Sequence, residues 1–74
     1  MNISNEIYKT LIKKYETEIQ EYKTTLMIYF EKSVGIGDHS NHIDEMNELI
    51  SKASSAHDNI SMLKNMFENK YSKL

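Results

Sequence analysis

The 74-residue chain contains no cysteine, proline, tryptophan or arginine, and only two glycines. Without cysteine there is no disulfide scaffold and no thiolate zinc site. Without arginine there is no bidentate readout of phosphate or of base edges. Charge of one sign is missing too: nine lysines stand against eleven acidic residues, for a net charge of −2. That balance argues against a polyanion binder and predicts no nucleic-acid partner. No apolar run approaches the roughly 18–20 residues of a membrane span. No basic-then-apolar signal segment opens the sequence, which predicts an unprocessed, cytoplasmic protein. The length allows one domain at most.

What is present is a seven-residue repeat. Tyr8, Tyr15, Tyr22 and Tyr29 lie seven apart, and Ile12, Ile19 and Leu26 repeat with them. The steps from Tyr to Ile or Leu and on to the next Tyr alternate between four and three residues, the spacing of a coiled-coil seam. Thr10, Thr17, Thr24 and Glu31 fall on the opposite, solvated face. No proline or glycine interrupts residues 5–34, so a first helix is expected over about 4–33, capped by Asn2 or Ser4. Gly35 suits a left-handed C-terminal position, which places a turn at 34–39.

A second helix is expected over about 40–72. Acidic residues crowd its start and lysines its end, as the helix dipole favours, and Glu48 and Lys52 form an i,i+4 pair. A stripe through Ile43, Met46, Ile50, Ala53, His57, Ile60, Lys64 and Phe67 reads as its seam. Folding back at Ile36 sets Tyr29 opposite Ile43, Leu26 opposite Met46, Tyr22 opposite Ile50 and Ile19 opposite Ala53. Further out, Tyr15 meets His57, Ile12 meets Ile60, Tyr8 meets Lys64 and Asn5 meets Phe67. In this register both polar seam residues face tyrosines, whose hydroxyl and ring can accommodate them.

Two helices bury only one stripe each, and small domains cover a low fraction of their surface. A second sticky face is therefore expected beside the seam: Leu11, Glu18 and Thr25 from the first helix, with Leu49, Ala56 and Leu63 from the second. Met27, Met62 and Met66 can extend it, since methionine adapts to uneven surfaces. This predicts an all-α antiparallel hairpin that assembles as a dimer or higher homo-oligomer into a helical bundle.

Candidate chemistry is sparse. His39 and His42, with Asp38 and Asp44 nearby, are metal-ligand types, but structural zinc takes four ligands and a polar cap is the better reading. Gly35-Ile36-Gly37 before a helix start resembles an anion cradle only loosely. It lacks the preceding strand and the spacing of phosphate-binding loops. His57 beside Tyr15 reads as a seam histidine whose protonation would tie stability to pH. No catalytic, cofactor or metal residue is assigned.

Leu26 to Met46, with Tyr29-Phe30, Val34-Gly35-Ile36-Gly37-Asp38-His39 and Ile43-Asp44-Glu45-Met46, resembles small helical-hairpin proteins of tailed phages. Those often carry Gly-x-Gly-Glu/Asp-His-Pro at the turn; Ser40 stands here in place of the proline. The resemblance covers about the middle third of the chain and brings no activity or functional residues with it. It implies a phage accessory protein in the host-cell cytoplasm. The expected function is a non-catalytic oligomeric module binding a host or viral protein, with Gly35, Gly37, Asp38, His39 and His42 as its partner-binding turn. One alternative is an anti-defence sponge that sequesters a small nucleotide signal between subunits. Another is a virion or assembly component.

Overall fold

The computed structural model describes residues 2–32 and 39–68. Helix α1 spans Ile3–Lys32 and helix α2 spans His39–Phe67, and the two pack against each other. Of the two expected caps, Asn2 is the one used. Its Oδ1 accepts the Asn5 backbone N–H at 3.2 Å, and its carbonyl accepts that of Glu6 at 3.1 Å. The side chain thus satisfies one donor that a helix start otherwise leaves open, and the carbonyl accepts the first regular helical bond. The expected turn at Gly35, Gly37 and Asp38, and the end of the second helix beyond residue 68, lie outside the described residues.

Ring contacts at the two ends fix the antiparallel arrangement. Tyr8 stacks on Phe67 with centroids 4.1 Å apart. At the other end Tyr29 meets His42 edge-on at 4.9 Å. In α1 the expected seam is where the cover falls: Tyr8, Ile12, Tyr15, Ile19, Tyr22, Leu26 and Tyr29 are all half-buried. Leu11 and Glu18 are half-buried beside them, whereas Thr25 is exposed.

Helix α2 is rotated from its expected orientation. Its covered residues are His42, Met46, Leu49, Ala53, Ala56, Ile60, Leu63 and Phe67, again in steps of four and three. Ile43, Ile50, His57 and Lys64 are exposed, and Tyr8 faces Phe67 rather than Lys64. The physical reason is direct. Both stripes share Met46, Ala53, Ile60 and Phe67, but the one adopted replaces His57 and Lys64 with Ala56 and Leu63. It leaves the Lys64 ammonium in water, where it costs nothing in desolvation, and the one imidazole it takes in, that of His42, meets the Tyr29 ring edge-on. Leu49, Ala56 and Leu63, assigned to a second face from the sequence, are thus taken up inside the hairpin.

The result is a rod of 56 × 19 × 13 Å with a radius of gyration of 16.9 Å. A compact chain of this length would have about 11 Å. Among the described residues only Ala56, 4% exposed, is fully enclosed. Its small side chain lets the helices approach at mid-rod.

Candidate association face

Seven-residue spacing carries one flank of the seam along the whole rod. On α1 this flank shows Ser4, Leu11, Glu18 and Thr25, and on α2 Glu45, Lys52, Asn59 and Met66. At the open end, Ile7, Tyr8, Leu11, Leu63, Met66 and Phe67 line an apolar groove of about 230 Å³. Ile7 and Met66 form its rim and keep 55% and 61% of their surface in water. Further along the same flank, a groove of about 310 Å³ is polar, with Tyr15, Glu18, Tyr22, Glu48, Lys52 and Ser55 among its lining residues. Serines and Ala56 make its floor shallow.

Charges on this flank are arranged in pairs along each helix. Lys14 Nζ lies 3.1 Å from Glu18 Oε2 and 5.3 Å from the Tyr15 ring centre. The hydrogen bond to Glu18, reinforced by that carboxylate's charge, holds the Lys14 ammonium above its ordinary range. Lys52 pairs with Glu48 at 3.4 Å, as its i,i+4 spacing predicts. Toward the turn, the Tyr29 hydroxyl donates to Glu45 Oε2 and joins the helices. That bond, then partial burial, then the neighbouring negative charge raise the phenol above its usual range.

The opposite flank carries Phe30, Ile43 and Ile50, with His57 and Lys64 farther along. The threonine face of α1 is exposed, and its Thr10 hydroxyl bonds back to the Glu6 carbonyl at 2.8 Å. Of the expected partner-binding turn, His39 begins α2 and His42 lies against Tyr29. No group of three or more metal-ligating side chains comes together among the described residues. No helix there is long and apolar enough to cross a membrane. The contributions of Ile7, Lys52 and Asn59 to this flank were not anticipated. Lys52 and Asn59 repeat at seven-residue steps from Met66, and Ile7 lies one helical turn before Leu11, a pattern visible only once the α2 seam is placed correctly.

Compared with known proteins, the chain matches no family model, no curated protein and no solved structure.

Proposed function

We propose that this chain is a non-catalytic interaction module that works as a homo-oligomer. Its hairpin is completed by a second copy, and the assembled bundle presents its remaining surface to a host or viral protein. The supporting observation is area. The chain exposes 5912 Å², whereas a compact monomer of 8.7 kDa exposes about 4,700 Å². The excess of about 1,200 Å² exceeds the roughly 800 Å² that each partner contributes to a standard interface. Much of it is apolar, for Ile3, Ile7, Met27, Ile28, Ile43, Ile50, Met62 and Met66 are each at least half exposed.

The grooves themselves favour binding over catalysis. The open-end groove offers Ile, Leu, Met, Tyr and Phe side chains with one serine, Ser4, and no histidine or carboxylate among the described residues that line it. In the mid-rod groove both carboxylates are already paired, Glu18 with Lys14 and Glu48 with Lys52, which leaves no surplus of positive charge to draw in a nucleotide phosphate.

Sedimentation equilibrium from micromolar to sub-millimolar concentration tests the reading. A mass of twice 8.7 kDa or a higher multiple is expected. A folded species that stays monomeric throughout would overturn it.

A further inference from the structure

We infer that copies of this chain join head to tail, the grooved flank of one docking on the opposite flank of the next with the two rods pointing in opposite directions. This rests on the self-association reading above and adds the pairing of faces and the direction.

The two flanks carry opposite charge. Among the described residues, Glu18, Glu21, Glu45 and Glu48 outnumber Lys14 and Lys52 on the grooved flank and its edge. On the other flank Lys9, Lys13, Lys23 and Lys64 outnumber Glu6, Glu16 and Glu68. All of these except Glu18 are exposed. Charge and apolar surface also run in opposite order along the rod. The grooved flank gathers Ile7, Met62 and Met66 at the open end, and Glu45 and Glu48 toward the turn. The other gathers Lys9, Lys13 and Lys64 at the open end, and Phe30, Ile43 and Ile50 toward the turn.

Either flank docked on its own kind brings surfaces of like net charge together. Unlike flanks pointing the same way lay Glu45 and Glu48 on Ile43 and Ile50, and Lys9 and Lys64 on Ile7 and Met66. Both desolvate charge against apolar side chains. Unlike flanks pointing opposite ways remove both conflicts. The levels set by the Tyr8–Phe67 and Tyr29–His42 contacts then bring Ile7 to Ile43 and Met66 to Phe30 of the next copy. They also bring Glu48 to Lys13, Glu45 to Lys9 and Lys52 to Glu16. Ile28, 52% exposed near the turn of the grooved flank, comes beside Lys64, whose aliphatic stem can cover it. The Lys9–Glu6 and Lys52–Glu48 pairs within each copy are open to water at 3.7 and 3.4 Å, so exchanging them across the contact costs little.

A half-turn about the line through both flanks relates neighbouring copies and sets α1 of one parallel to α2 of the next. Every assembly keeps one free flank of each kind, so growth does not close at two.

Sedimentation of paired variants tests this. The parent chain is expected to grow past two copies as concentration rises. Ile7→Glu disables one flank and Ile43→Glu the other, and each alone should associate about tenfold more weakly or worse, as loss of an interface anchor does. Mixed in equal amounts, the two variants should form a complex that stops at two chains, because each supplies the flank the other has lost. For the direction, Lys13→Glu and Glu48→Lys should each weaken association and together restore it. That pair also serves where either apolar variant fails to fold. A parent that stops at two copies overturns the inference and leaves self-association standing. So does a single-flank variant that still associates fully by itself, or a charge exchange that restores nothing. A parent that is monomeric at every concentration overturns both.

Discussion

The rotation of α2 can be tested by comparing two adjacent residues. Leu49 is half-buried in the seam, while Ile50 keeps 50% of its surface in water on the outer flank. Truncating a fully buried leucine to alanine removes three carbons, about 2.4 kcal/mol at ~0.8 kcal/mol per buried CH₂. Leu49 keeps a small part of its surface in water, which reduces this to about 1.5–2 kcal/mol once the few tenths returned by alanine's better helix propensity are counted, a fall in Tm of about 6–12 °C for a domain of this size. For Ile50→Ala, half of the side chain's surface is already in water, so the same reckoning gives about 1.2 kcal/mol less a propensity gain of about 0.4, a net cost below about 1 kcal/mol and smaller than that of Leu49→Ala. The assay is thermal melting followed by helical circular dichroism. Both variants are compared at one protein concentration, because association makes Tm concentration-dependent. An Ile50→Ala loss equal to or larger than that of Leu49→Ala would refute the seam described above. It would restore the alternative stripe, with His57 and Lys64 inside.

Two further outcomes are expected. Ala56→Leu forces a larger side chain into the tightest layer of the rod and should cost about 1–3 kcal/mol, whereas Ser54→Leu, exposed nearby, should not; equal melting curves would contradict a close approach at Ala56. The Tyr29 phenol holds its proton more tightly folded than unfolded, so its stabilising bond to Glu45 is complete below the ordinary tyrosine value of 10.0 and is lost as the pH climbs through the raised one. Melting across alkaline pH should therefore show the parent falling more steeply than Tyr29→Phe above pH 10, and parallel curves would exclude that linkage.

The sequence was most legible where one pattern had no rival. In α1 the tyrosines and their Ile/Leu partners leave a single possible stripe, and each of those residues is half-buried. In α2 two stripes share Met46, Ala53, Ile60 and Phe67, and propensity cannot choose between them. Desolvation can: the stripe through Leu49, Ala56 and Leu63 carries no charged residue, and the one through His57 and Lys64 does. Pairing those polar residues with tyrosines made the costlier stripe look plausible. It also assigned three seam residues to an outer face. The association face was hidden for the same reason, because the flank of a seam is defined only after the seam is. The polar mid-rod groove depends on both helices at once, and no periodicity in either one announces it.

The single enclosed layer at Ala56 has a consequence for how the rod tolerates change. Tyr8 on Phe67 at one tip and Tyr29 against His42 and Glu45 near the other also hold the pair, so change is best tolerated where a residue faces only water. Sequence drift is therefore best absorbed on the exposed threonine side of α1. The same freedom is denied to the stretch around Ala53 and Ala56, where a larger side chain has to be accommodated between the two helices.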